Sequence, residues 1–261
     1  MPELPEVEAY RVLALAALER RVATVRTPDA WFLKGGIDAA AVDGALVGRC
    51  FTAARRRGKL LLLDTSDGGP VLGLRFGMTG RLVVDGRAGV DRLLYSSDQG
   101  LSAWDRFAVQ FDDGGDLRVH DPRRLGGVFL DPEEGRLGVD VLTVTPAALR
   151  RALERSTAPL KARLLDQAHL AGVGNLLADE ALWRAGLDPR RPAGSLTAAE
   201  LRRLHRHLRA AVADLIARGG SHSGDLMPHR VAGGACPRDG TPLSRATVGG
   251  RTTWWCPEHQ R

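Results

Sequence analysis

The spacing of hydrophobic positions changes twice along the chain. Over positions 5–21, Val7, Tyr10, Ala14, Ala17 and Arg21 fall at helical intervals and Leu18 widens the apolar stripe. This predicts a leading helix that ends on Arg20 and Arg21. From there to about Leu142 the pattern becomes short apolar runs, at 22–25, 59–63, 71–74, 82–84, 108–111, 117–119 and 128–130. The breaks at 64–69 and 112–115, rich in Asp and Gly, carry hairpin chemistry. Many short strands with regular turns predict a β-sandwich or barrel. Helical spacing returns over 145–218, in segments 146–155, 159–166, 175–185 and 198–218, with a capping box from Thr197 to Glu200. A glycine-rich linker, 219–234, then leads into a short tail. The expected fold class is α+β, divided into residues 1–143, 144–230 and 231–261.

Composition narrows what such a fold could do. The chain has 261 residues, 44% of them hydrophobic, enough for two domains with cores. Lys and Arg outnumber Asp and Glu by 37 to 31, giving a net charge of +6. A polyanionic partner, DNA or RNA, is the simplest reading; the plain alternative is an arginine-rich composition that binds nothing. No apolar run approaches the ~20 residues of a membrane span, and the acidic start does not resemble a signal peptide. Three cysteines, with Cys50 far from Cys236 and Cys256, argue against a disulfide framework and for a reduced, cytoplasmic setting. Neither GxGxxG nor GxxxxGK occurs, so nucleotide hydrolysis has no support.

Several stretches could carry chemistry. In Met1-Pro2-Glu3-Leu4-Pro5-Glu6-Val7-Glu8, removal of Met1 would make Pro2 a secondary amine. Such an amine titrates well below a lysine and can attack a sugar C1′ to give an iminium. Glu3 and Glu6 are then carboxylates suited to proton transfer. The same residues also read as an acidic helix start with Pro5 in its first turn; the octet alone leaves the two readings even. Lys59, after three arginines and before four leucines, would open a buried strand and hold its ammonium toward a phosphate. Met78, between Gly77 and Gly80, would sit on a hairpin tip as a thin apolar wedge or serve as core filler. The loop His120-Asp121-Pro122-Arg123-Arg124-Leu125-Gly126 would aim an arginine at a base or phosphate, with Leu125 as a second wedge. Gly172 and Gly174 permit a tight turn before Asn175, which would cap the next helix and expose amides to an anion; an ordinary helical hairpin is the alternative. Cys236, Asp239, Cys256 and His259 form two pairs at i, i+3, typical of a zinc knuckle, with Arg251 near the hairpin tip over Trp254 or Trp255.

Together these residues resemble the formamidopyrimidine-DNA glycosylases, in the superfamily shared with endonuclease VIII. The resemblance runs from MPELPEVE through RGKLLLL, GMTG, HDPRR and GVGNLLADE to the terminal hairpin. It implies a β-sandwich with a leading helix, a helix-two-turns-helix domain and a C-terminal zinc-finger-like hairpin. It also implies a monomeric bacterial enzyme of the nucleoid, acting on damaged double-stranded DNA in base-excision repair, with one structural zinc. Pro2 would attack C1′, with Glu3 as acid/base residue and Glu6 and Lys59 in support, followed by β- and δ-elimination. Met78, Arg123 and Leu125 match the residues that fill the space left by a flipped base. Lys161, Asn175 and Arg251 would contact DNA. Three departures bear on substrate choice: Leu125 stands where phenylalanine is usual, the segment before Cys236 is short, and Asp239 and His259 replace cysteines. Oxidised purines are therefore the first expectation. Oxidised pyrimidines, bulky lesions or non-catalytic lesion binding are the alternatives.

Overall fold

The computed structural model describes residues 2–90, 93 and 102–261; Met1, whose removal the sequence reading invokes, lies outside them. The chain forms two compact units, Met1–Glu134 and Gly135–Arg261. No helix among the described residues is long and apolar enough to cross a membrane.

The first unit opens with helix α1 (Leu4–Ala14), shorter than the periodicity predicts. The chain tightens to a 3-10 turn at Leu15–Ala17, and Leu18 then runs extended to bridge Phe51. Arg20 leaves the helix because two acids recruit it: it pairs with Asp85 at 2.8 Å and Asp113 at 2.7 Å, and lies over the Phe111 ring. The remaining elements are β1 (Val22–Arg26), α2 (Ala39–Leu46), β2 (Phe51–Arg57), β3 (Leu60–Thr65), β4 (Leu72–Arg75), β5 (Arg81–Val84), β6 (Arg87–Ala88), β7 (Asp105–Phe111), β8 (Asp116–His120) and β9 (Gly127–Leu130). They make one sheet ordered β1-β7-β8-β5-β6 and another ordered β2-β3-β4-β9. The inward rows of both sheets, among them Leu61, Leu63, Leu74, Leu82, Phe107, Val109 and Val119, join Val7 and Tyr10 of α1 in one core. The sandwich and its leading helix thus follow from period-two burial, clearest on β7, where alternate side chains point inward. Strand β2 and helix α2 are additions to the sequence reading. The arginines of β2 hide it from a hydrophobic pattern: Arg55 pairs with Asp64 and Glu134, and Arg56 with Glu8 of α1.

The second unit contains β10 (Val139–Asp140), α3 (Pro146–Leu153), α4 (Leu160–Leu165), β11 (Leu170–Ala171), α5 (Asn175–Ala185), α6 (Ala198–Ala217) and the hairpin β12 (Ser244–Val248) and β13 (Arg251–Trp255). The Thr197–Glu200 capping box forms as expected. The segment expected to be a linker is instead tied down. It contains 3-10 turns at Ser221–Ser223 and Met227–His229, and the Asp225 and Leu226 amides donate to Glu180 of α5 at 3.1 and 2.9 Å.

Next to Glu180 lies the charged centre of this unit. Asp179 meets Lys161 at 2.7 Å and Arg230 at 2.8 Å. Lys161, with 0% exposure, also donates to the Thr252 carbonyl at 3.1 Å and the Thr253 hydroxyl at 2.8 Å. Burial pushes the Asp179 carboxyl up, while Lys161 and Arg230 oppose the shift. One ion cluster therefore joins α4, α5, the segment before the tail and β13. Removing a single partner would strand a charge in the interior. Lys161→Met should lower unfolding stability by about 3–5 kcal/mol in urea titration; an unchanged midpoint would show that the cluster does not hold these elements together.

Candidate active site

Helix α1 begins with a reciprocal cap. Glu3 is the extended N-cap residue, its N–H donates to the Glu6 carboxylate at 2.8 Å, and its own carboxylate accepts the Glu6 amide. Pro5 fits the first turn because an N–H at that position would have no acceptor within the helix, and proline has none to leave unpaired. Pro2, Glu3 and Glu6 are all buried. Two carboxylates and a potential amine therefore share a place sheltered from bulk water, which suits proton transfer more than surface solvation. One turn on, Tyr10 donates to the Gly80 carbonyl at 3.0 Å. Burial and the neighbouring Glu6 charge push its phenol well above the ordinary value, against Arg81, so it remains a donor.

Lys59 does not open the strand. It is half-buried in the two-residue turn Gly58-Lys59 between β2 and β3, where Arg57 pairs with Leu60. The turn is braced from α1: Glu8 holds Arg56 at 2.9 Å, and Arg56 donates to the Gly58 carbonyl at 2.8 Å. Burial raises the Glu8 carboxyl, but Arg11 and Arg56 outweigh it and leave the group below the usual carboxylate range.

Met78 is also placed differently. Strands β4 and β5 belong to different sheets, so 76–80 is a crossover turn and not a hairpin tip. Met78 is half-buried there, and Thr79 is buried, with its hydroxyl donating to Asp121 at 2.5 Å. Asp121 has no exposed surface and also accepts from the Arg123 amide at 3.3 Å and the Gly126 amide at 2.8 Å. It therefore fastens the Met78 turn to the loop 121–126. Gly77 completes the contact: its φ is +56°, and a Cβ there would strike the Leu125 backbone. Arg123 and Leu125 are exposed on this loop, Leu125 by 49%. Arg124 has a φ of +56° and is clamped by Asp29, whose oxygens accept at 2.5 and 2.6 Å.

In the second unit the turn before α5 uses Gly172 at φ +105°. Gly174, extended, is the N-cap residue, and Asn175 is the first residue of the helix instead of its cap. The Asn175 Oδ1 is buried without a hydrogen-bond partner. Lys161 needs a larger correction: its ammonium is inside the ion cluster and is not presented to a phosphate. Arg251 is exposed at the start of β13, while Arg190 and Arg245, not Arg251, lie over Trp255 and Trp254.

Cys236, Asp239, Cys256 and His259 converge so that one donor atom from each lies within 4.8 Å of the others. Cys256 Sγ is 3.3 Å from Asp239 Oδ2, and Cys236 Sγ is 3.7 Å from His259 Nδ1. Zinc bonds of about 2.0–2.3 Å at tetrahedral angles put donors roughly 3.3–3.8 Å apart, so the four residues fit a metal ion. The surroundings agree. Trp183 Nε1 donates to Cys236 Sγ at 3.3 Å, and His259 Nε2 lies 3.3 Å from the Trp183 carbonyl. A carbonyl only accepts, so Nε2 carries a proton there, and Nδ1, 2.9 Å from Asp239 Oδ2, is the nitrogen turned toward the other three donors. Sequence reasoning found these four residues but not Trp183, whose contacts depend on the fold.

The chain is similar to known proteins over nearly its whole length. The model of the formamidopyrimidine-DNA glycosylase N-terminal domain matches residues 1–128, and that of the formamidopyrimidine-DNA glycosylase H2TH domain matches 137–226. The chain is 37% identical to the formamidopyrimidine-DNA glycosylase of Chloroflexus aggregans, over 98% of both chains. It is 37% identical to that of Thermus thermophilus, covering 100% of this chain and 98% of the relative. Among solved structures it is similar to Lactococcus lactis Fpg in complex with DNA containing an abasic site, with a TM-score of 0.84, 23% identity and full coverage of both chains.

The Asp121 junction generates a direct expectation. Asp121→Ala removes the acceptor of one hydroxyl and two amides and should cost about 2–4 kcal/mol of stability in denaturant unfolding. Hydrogen exchange at the Gly126 amide should rise at the same time; unchanged protection there would show that the two loops are held by something else.

Proposed function

The chain belongs to the formamidopyrimidine-DNA glycosylase family, and from that premise we propose how its residues divide the work. It is a base-excision-repair DNA glycosylase with AP lyase activity, acting on damaged double-stranded DNA. In our reading residues 1–143 carry the chemistry, 144–230 grip DNA, and 231–261 form the finger. Pro2, freed by removal of Met1, is the nucleophile. Its nitrogen bonds to C1′ while the bond from C1′ to the damaged base breaks, and the base leaves with the electron pair and takes up a proton. The Pro2 nitrogen then gives up its proton, the C1′–O4′ bond of the sugar ring breaks with O4′ taking up a proton, and the resulting iminium draws electrons from C2′. Loss of a C2′ proton then expels the 3′ phosphate, and a second elimination expels the 5′ phosphate.

Glu3 is the proton-transferring residue in this scheme, Glu6 orients it, and Lys59 and Asn175 hold phosphates. The observation that carries the reading is the burial of Glu3 and Glu6 in a reciprocal cap directly after Pro2. The Thr197–Glu200 capping box makes similar hydrogen bonds at the surface, whereas Glu3 and Glu6 are 1% and 2% exposed. Met78, Arg123 and Leu125 fill the space vacated by the damaged base, and Arg251 contacts the backbone.

Oxidised purines such as 8-oxoguanine or formamidopyrimidines are the first substrate class. A second reading, oxidised pyrimidines or bulky lesions, is favoured by Leu125 and by the short segment held against Glu180, which leaves little chain to cover a flipped base. A panel of lesion duplexes with borohydride trapping separates the two: purine duplexes should give the most covalent adduct, and a strong preference for pyrimidines would reverse the order. Adduct on none of them, nor on an abasic site, would end the glycosylase assignment.

The metal cluster can hold an ion, and we read that ion as one structural zinc, held by two thiolates, the Asp239 carboxylate and the His259 imidazole. The backbone amide of Thr241, followed by His259, holds the Asp239 carboxyl well below its usual range, which keeps it anionic and fit to ligate.

Pro2→Gly, or an uncleaved N-terminal tag, should lower strand cutting by about 100-fold or more while DNA binding is largely kept. Equal lyase rates would remove Pro2 from the mechanism. Asp239→Ala should reduce zinc per chain in elemental analysis, and an unchanged zinc content would take Asp239 off the ligand set.

A further inference from the structure

Residues 29–34 lie beside the loop 121–126, and nothing in the scheme above uses them. Phe32 is fully buried in the sandwich core, Leu33 bridges Val128, and the Lys34 amide donates to the Val128 carbonyl at 2.9 Å. These anchors fix the backbone on either side of Trp31 while its ring stays out in solvent, 68% exposed. Trp31 is the only aromatic among the large exposed hydrophobic residues described. Trp183, Trp254 and Trp255 are buried and Trp104 is half-buried. A tryptophan so exposed on a rigid segment leaves most of its large apolar surface in water.

Its neighbours are specific. Asp29 accepts the Trp31 amide at 3.1 Å and also clamps Arg124, so one carboxylate sets both the indole and the Arg124 loop. Trp31, Arg123, Arg124 and Leu125 line one shallow depression of about 410 Å³. The Lys34 ammonium stands 4.6 Å from the ring centroid and donates to the Trp31 carbonyl at 2.5 Å, which orders the ring and leaves a cation beside it.

We propose that Trp31 is a second stacking element at the lesion, receiving the π-face of an unstacked nucleobase beside Leu125. Leucine fills space but has no ring, whereas an indole offers a flat face to any base, and Arg123 and Lys34 supply the charge that meets the flanking phosphates, Arg124 being paired with Asp29. The inference rests on the glycosylase reading and adds a base-contacting residue to it.

The test uses the full-length protein with two duplexes, one carrying a stable abasic-site analogue and one undamaged. Trp31→Leu should weaken binding to the abasic duplex by between about 5- and 150-fold, the range for one base on one aromatic side chain. Trp31→Phe should recover most of that affinity, and the undamaged duplex should lose less than about threefold with either variant. Binding should also quench wild-type tryptophan emission more than that of Trp31→Phe. Thermal melting checks that both variants are folded. Wild-type affinity in Trp31→Leu, or an equal loss on both duplexes, overturns the proposal. Borohydride trapping by the wild type keeps the two readings apart: an adduct together with wild-type affinity in Trp31→Leu defeats only the role of Trp31, whereas no adduct defeats the glycosylase reading itself.

Discussion

The Asp121 carboxylate is the interaction on which the candidate site depends. It is fully buried and has three donors, the Thr79 hydroxyl and the amides of Arg123 and Gly126. A charge removed from water is tolerable only when its lone pairs are filled, so these two loops are not free to separate. Tyr10 extends the same network to α1 through the Gly80 carbonyl. The helix that presents Pro2, the turn that carries Met78 and the loop that carries Arg123 and Leu125 are thereby fixed against one another. Pre-positioned groups of this kind lose little freedom when substrate arrives.

The second unit uses buried acids in the same way. Asp179 and Glu180 are adjacent on α5 and face different tasks: Asp179 collects Lys161 and Arg230, and Glu180 collects two backbone amides and Arg184. The first holds β13 and the finger hairpin, and the second pins the turns at 221–229. The stretch that reads as a phosphate-binding motif is therefore in large part a structural joint, and only its first residues, around Asn175, lie outside it.

Much of the fold was legible because period-two and helical spacing are local. Strands β3, β7, β8 and β9 and helices α3 to α6 appear within a few residues of where the pattern puts them. What escaped has a common cause: partners distant in sequence. Arg20 leaves its helix for Asp85 and Asp113, β2 is disguised by arginines whose acids lie on α1 and near residues 64 and 134, and Lys161 reads as a surface cation because Asp179 is eighteen positions away. The cluster that could hold a metal was legible because each pair sits at i, i+3; Trp183, which contacts two of its residues, was not. In the opening octet the residue types suggested a chemistry, but the burial of Glu3 and Glu6 could not be read from them.

The burial pattern also refines what the charge implies. Glu3, Glu6, Asp29, Asp105, Asp121, Asp140, Asp179 and Glu180 are buried, whereas Lys161 is the one buried lysine or arginine among the described residues. Several of these acids are engaged by backbone amides or hydroxyls instead of by surface arginines. A distant polyanion still meets the net charge of +6, but a phosphate close to the surface meets mostly cations, because the acids nearest the candidate site lie beneath it. Such a layering lets carboxylates fix backbone without repelling DNA. It also explains how an octet with three glutamates can stand at the start of a chain whose partner is an acid.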